Sequence, residues 1–155
     1  MKNKTSSLFT LLLAVIVLFF SFVACDKERG NVSANVVDAT ETLVVIKIDE
    51  VDGDVSVLDV LKVLEKENAL TFDSKEGAFG AYIVSVNGKT EISGLTEGYS
   101  WLVYTSDRTD GVANTEGAPL IWNEQEYYLT VFGISSTQVR AGEYYLLSFD
   151  GWTYP

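Results

Sequence analysis

The alternation of hydrophobic and polar residues changes period three times along the chain. Leu8 to Ala24 runs seventeen residues without a charge, behind a short positive end made by Lys2 and Lys4. Asp26 to Asp38 is polar, includes Gly30 and has no period, so it reads as a tether; thirteen flexible residues span an r.m.s. distance of roughly 20 Å. From Glu41 the pattern of a folded domain begins. "ETLVVIKI", Glu41 to Ile48, is β-branched and strongly apolar, which predicts a buried or half-buried strand. The acid-rich "DEVDGD" then turns the chain into "SVLDVLKVLEKENAL", where Val57, Leu58, Leu61 and Leu64 share one helical face. Lys62, Glu65 and Lys66 fall on the opposite face. Ser56 and Asp59 form an approximate capping pair at its start, because a serine hydroxyl accepts one of the orphan N–H groups of the first turn.

The remaining segments predict strands and turns. "LTFD" begins at Leu70, and "AYIVSV", Ala81 to Val86, runs into Asn87-Gly88. Both of those turn residues tolerate positive φ, the strongest short hairpin signal. "SWLVYT", Ser100 to Thr105, is another strand; "SDRTDGVANTEGAP" is a long polar loop. The aromatic-rich "EYYLTVF" and "EYYLLSF" follow, the second entered through a Gly142-Glu143 turn. One helix among about seven strands predicts an α+β domain, with the helix packed on a largely antiparallel sheet. There is no tandem repeat.

The first apolar run has the layout of a secretory signal: a basic end, an apolar stretch and a small residue before the cut. It is a little short for a permanent span, which needs about 20 apolar residues. Phe22-Val23-Ala24-Cys25 resembles a bacterial lipobox, although leucine is commoner than Phe22 at its first place. That resemblance implies cleavage before Cys25, the only cysteine, and a thioether from its sulfur to diacylglycerol. Two acyl chains suffice for stable anchoring where one is marginal. The alternative is an uncleaved membrane helix ending in a free thiol. The expected organisation is a lipoprotein signal peptide at 1–24, a lipid anchor and tether at 25–40, and one domain at 41–155. The expected location is the cell surface, membrane-anchored and facing the extracytoplasmic side.

Charge narrows the partners. All 22 acidic residues follow Cys25, and the eleven basic ones less Lys2 and Lys4 leave nine, so the mature chain carries −13. Such a surface repels phosphate backbones, which argues against nucleic acid, and it also repels anionic lipid heads. The chain has no histidine, so Ser-His and Cys-His nucleophile pairs are excluded. A paired-carboxylate hydrolase is conceivable from the number of acids, but no base–nucleophile constellation can be named. "DEVDGD" groups Asp49, Glu50, Asp52 and Asp54 around Gly53, ligand chemistry suited to calcium. An EF-hand register with Gly53 at its sixth place would start at Ile48, which cannot ligate. The expected reading is therefore a solvated turn whose acids favour the following helix N-terminus.

Four segments in order carry a family resemblance: "SVLDVLK", "GAYIVSVNG" from Gly80 to Gly88, "GYSWLVYT" from Gly98 to Thr105, and "GISSTQVRAGEYYLLSF" from Gly133 to Phe149. Together they resemble the transcobalamin-like C-terminal domain family, found at the ends of vertebrate cobalamin carriers and widely in bacterial surface proteins. The resemblance covers roughly Leu43 to Phe149. It implies a binding domain without catalysis and, in the vertebrate carriers, closure over cobalamin held against a separate helical domain. No helical partner domain is present in this sequence. With no histidine, a corrinoid would have to keep its own axial ligands. The segment from Gly111 to Phe132 is longer than the family's usual connection, and an extra hairpin is one form it can take.

The aromatic residues supply the candidate ligand contacts. Trp101 and Tyr104, three apart on a strand, point to opposite faces, and Trp101 is expected in the core. Trp122, between Pro119 and Asn123-Glu124 in the long segment, is expected in an exposed loop. Doubled tyrosines present one ring to each side, so one of Tyr127 and Tyr128, and one of Tyr144 and Tyr145, is expected on an open face. Trp152 and Tyr154 either cap the core or fray. Trp122, Tyr99, Tyr104, Trp101 and Tyr127 are thus the candidate ligand-binding residues, with no catalytic residue, no metal site and no required cofactor. The two expectations for function are non-catalytic ligand binding, cobalamin being the first candidate, and a structural or protein-interaction module on the cell surface.

Overall fold

The computed structural model describes residues 30–109 and 111–153; the segment 1–24, Cys25 and Tyr154 lie outside the described residues. Folded structure starts ten residues before the domain expected from the sequence. Asn31–Ala39 forms strand β1, paired antiparallel with β2 (Leu43–Asp52) from Asn31 opposite Asp52 to Ala39 opposite Val44. The tether expected over Asp26 to Asp38 is therefore strand from Asn31 onward, and the sheet takes in residues expected to precede the domain at 41. Val32, Ala34 and Val36 alternate with polar neighbours and pack against the main core. The pairing slips twice: between Ser33 and Ala34 the extra residue is Asp49 of β2, and between Val36 and Asp38 it is Val37 of β1, where the alternation of β1 ends.

After β2, Gly53 takes φ +79 and the chain enters α1 (Val57–Lys66). Its capping box is complete. Ser56 Oγ accepts from the Asp59 backbone N–H at 3.3 Å, and the Ser56 N–H donates to Asp59 Oδ2 at 3.1 Å. Val57, Val60, Leu61 and Leu64 are buried, in the same cluster as Ile46, Ile48, Tyr145 and Leu147 of the sheet. Burying each such aliphatic side chain contributes roughly 1.5–3 kcal/mol. Leu58, expected on the buried face, is only partly covered.

Beyond the helix, β3 (Phe72–Lys75), β4 (Tyr82–Val86) and β5 (Lys89–Thr90) make a small three-stranded sheet. Asn87 and Gly88, at φ 47 and 81, form the two-residue turn between β4 and β5. The other strands are β6 (Ile92–Ser93), β7 (Glu97–Thr105), β8 (Leu120–Trp122), β9 (Gln125–Leu129) and β10 (Tyr144–Thr153). With β1 and β2 they build a seven-stranded antiparallel sheet in the order β1-β2-β10-β7-β9-β8, β6 lying beside β7. Over the described residues the fold is α+β, mostly antiparallel sheet with one short helix.

Alternate residues of the central strands serve different faces. Val44, Ile46, Ile48, Trp101, Val103, Tyr145 and Leu147 join the helix in the larger core. Val45, Leu146 and Tyr127 make a smaller cluster on the other face, with Tyr104, Tyr144, Leu120 and Trp122 partly buried around them. The outermost strands of the sheet, β1 and β8, are five strand spacings apart, about 24 Å if the sheet were flat. Yet the Trp122 indole N–H donates to Asp38 Oδ2 at 3.2 Å. The sheet therefore curls, and the β8–β9 hairpin folds over the second face.

Candidate functional site

The five aromatic candidates do not converge on one site. Trp101 and Tyr127 are 4% and 0% exposed. Trp101 sits in the larger core, its indole N–H donating to the Lys89 carbonyl at 2.8 Å, which matches the core reading. Tyr127 is the center of the smaller cluster, so as a ligand contact it is corrected: it fills the space under its own hairpin. Trp122 is corrected as well. It closes β8 rather than riding a loop, because Asn123 and Glu124 (φ 48 and 62) make a two-residue hairpin turn that keeps it in the strand. There it packs at 6.1 Å from the Tyr127 ring and 5.9 Å from Tyr144. The Gly111 to Phe132 segment thus contains the extra hairpin.

Tyr104 lies on the same face as Trp122 and Tyr127, and donates its hydroxyl to Asp150 Oδ2 at 2.9 Å. Burial, reinforced by that carboxylate, pushes its pKa up from 10.0 to about 12. Burial does the same to Tyr145, also to about 12, while Tyr127 and Tyr128 are shifted upward too, by burial and by the Glu126 carboxylate respectively. Phenols held this firmly neutral donate hydrogen bonds and are poor bases.

Tyr99 alone combines exposure with a formed recess. It is 49% exposed, and its ring stacks on Phe149 at 5.7 Å and 14°. Lys89 Nζ lies 4.8 Å from the center of that Phe149 ring. Around Tyr99, the β6–β7 hairpin and the end of β10 enclose an open groove of about 540 Å³. Its lining includes Ile92, Glu97, Gly98, Gly151 and Trp152. The register explains its shape. Tyr99 pairs with Gly151 and Gly98 with Trp152, so each ring lies across a glycine of the neighbouring strand. A β-carbon on Gly98 would stand 2.5 Å from the Trp152 indole and 2.3 Å from the Ile92 carbonyl oxygen. Trp152 is half-buried, with its N–H donating to Ser100 Oγ at 3.0 Å, so it belongs to the sheet rather than to a frayed end.

Sequence reasoning found Tyr99 but missed the glycines, whose signal was their spacing opposite aromatics on strands not yet known to pair. It also missed Asp107, a buried acid in the polar loop. Asp107 Oδ1 accepts from the Thr109 N–H and hydroxyl, and Oδ2 lies 3.2 Å from Arg140 Nε. That arrangement ties the loop after β7 to the approach to β10. The turn expected over "DEVDGD" is shorter than that: Asp49 to Asp52 continue β2, only Gly53 and Asp54 form the bend, and Asp49 is engaged by Asn35 and Lys47. Among the described residues no three acidic or cysteine side chains are grouped to hold a metal, and no helix is long and apolar enough to cross a membrane.

The chain matches no protein-family model, no curated protein and no solved structure. The likeness to the transcobalamin-like C-terminal family rests on the four quoted motifs.

Proposed function

We propose that this chain is a membrane-anchored, extracytoplasmic lipoprotein whose domain binds a ligand without catalysis, at the groove beside Tyr99. The observation that supports this is the groove's position. If Cys25 carries the lipid, only Asp26 to Gly30 separate it from β1, which starts where Asn31 pairs with Asp52. Ser148 pairs with Leu43 at the other end of β2, and β10 continues past it to Thr153. At about 3.3 Å per residue, the groove then stands on the order of 40 Å from the anchored end. A site at the far tip of a tethered domain is presented away from the bilayer.

The absence of histidine, and tyrosines whose pKa values are raised rather than lowered, support binding over catalysis. The motif resemblance nominates a corrinoid as the first ligand to try. Trp152 lines the groove, so tryptophan fluorescence of the purified chain, titrated with cobalamin and cobinamide, tests it directly. Saturable quenching that is lost in Tyr99→Ala is the expected result; a flat titration at micromolar ligand removes corrinoids from the reading. For the anchor, Cys25→Ala should move the chain from the membrane fraction to the soluble fraction, and an unchanged distribution would overturn that part.

One observation favours an interaction module instead. Phe79 is 73% exposed, Tyr82, Val131 and Phe132 are exposed, and the Gly133 N–H bonds the Phe79 carbonyl, so apolar side chains gather away from the groove. Crosslinking on intact cells, with and without Phe79→Ser, separates a protein partner from a small ligand.

A further inference from the structure

Resting on the reading of the Tyr99 groove as a ligand site, we infer that the ligand class it takes is a neutral sugar ring. The groove's chemistry narrows the choice. Among the described residues no cationic side chain lines it and the single carboxylate is Glu97, set in a mature chain of charge −13. An anionic ligand would meet repulsion with no compensating partner. One carboxylate without a grouped second or third acid does not make a cation site either.

What the groove does offer is a flat apolar platform beside hydroxyl and carboxylate groups. Tyr99 exposes half its surface while Phe149 backs it at 14°, and Phe149 is in turn packed 5.2 Å from the Trp101 ring. The platform is therefore fixed before any ligand arrives, which lowers the ordering cost of binding. Gly151 carries no side chain under the Tyr99 ring, which lies within van der Waals reach of where its β-carbon would stand, so the platform rests directly on the backbone of β10. Glu97 and Thr153, opposite each other and two residues from the Tyr99–Gly151 pair, share its face of the sheet as carboxylate and hydroxyl partners. A pyranose has this same division: a face of C–H groups that stacks on an aromatic ring, and an edge of hydroxyls that bonds polar groups. At about 540 Å³, the groove has the volume of an ordinary small-ligand site. A purely apolar peptide segment would leave Glu97 and Thr153 without use.

The test is isothermal titration calorimetry on the full chain in detergent micelles, with chitotetraose, cellotetraose and mannotetraose as neutral probes and tetragalacturonate as the anionic one. Saturable binding of at least one neutral probe and none of the anionic one is expected. Tyr99→Ala should weaken it at least about tenfold, as loss of a central aromatic contact does, and Tyr99→Trp should restore it, with thermal unfolding unchanged. Glu97→Gln, on the exposed rim, gives a second variant that leaves the platform intact and should also weaken binding. Failure of every neutral probe, binding that survives Tyr99→Ala, or equal binding of tetragalacturonate overturns the sugar assignment. If it falls while corrinoid quenching remains Tyr99-dependent, the groove is a ligand site of another class; if both titrations are flat, the ligand-site reading falls with it.

Discussion

Leu146 and Leu147 are neighbours on β10, both fully buried, and they stabilise two different structures. Leu147 points into the core shared by the helix, β2, β4 and β7. Leu146 points into a cluster of three buried residues, two of them aliphatic, roofed by a short hairpin. The first face is nearly all aliphatic and closed. The second is aromatic and polar, with Tyr104 bonded to Asp150 and Ser148 bonded to the same carboxylate. One sheet thus uses its alternation to separate a face that specifies the fold from a face that can be reshaped. The difference teaches that burial alone does not rank these positions; what matters is whether neighbours can move in to fill a gap.

That comparison can be broken or sharpened by substitution. Leu147→Ala should cost about 3–4 kcal/mol of unfolding free energy in urea, since the larger core cannot collapse onto the cavity. Leu146→Ala should cost less, about 2 kcal/mol, because the hairpin can settle onto the smaller cluster; equal costs would erase the distinction between the faces. Next comes Trp122→Phe, which keeps a ring but removes the donor to Asp38. About 1 kcal/mol is expected from that lost hydrogen bond, with Asp38→Asn nearly neutral because an amide oxygen still accepts.

The tyrosines give a pH test of the same contrast. Tyr104 on the second face and Tyr145 on the first both have pKa values raised from 10.0 to about 12. A raised folded-state pKa means the neutral phenol is preferred by the fold, so the stability it supports is complete below pH 10. It is lost as pH climbs from about 10 through about 12. Tyrosinate absorbance at 295 nm should show late-titrating groups, one fewer in Tyr104→Phe and one fewer in Tyr145→Phe. The smallest effect is expected at Arg108. Its ion pair with Glu126 and its position over Tyr128 are surface contacts, and Arg108→Ala should change stability by less than about 0.5 kcal/mol.

Much of this fold was legible where a local signal was strong. The capping pair Ser56 and Asp59, the spacing of Leu61 and Leu64, and the Asn87-Gly88 turn each act over a few residues, and each stands where the pattern put it. β1 was hidden because only Val32, Ala34 and Val36 alternate before the slip at Val37, too short and too weakly apolar a run among polar residues to stand out. Trp122 was misplaced because Asn123-Glu124 is an uncommon version of a two-residue hairpin turn, lacking the glycine that usually marks one. For the candidate site, the core position of Trp101 could be read from its place on a strand, but alternation puts Tyr99 on that same face and does not announce its exposure. Tyr127 could not be read, since which of two adjacent tyrosines faces inward depends on a hairpin folding across the sheet. The groove was not legible at all, because Gly98, Tyr99, Gly151 and Trp152 meet only through the pairing of β7 with β10.

The bond from Trp122 to Asp38 has one more consequence. An open sheet ends in two rows of unpaired N–H and C=O groups, and such rows recruit strands from other molecules. Here the three residues of β8 and the end of β1 that carries Asp38 turn toward each other, and the bulge at Val37 twists the edge of β1. The curled sheet thus shields the backbone where a second copy would dock. Unfastening that seam would express itself first as self-association, before any loss of fold.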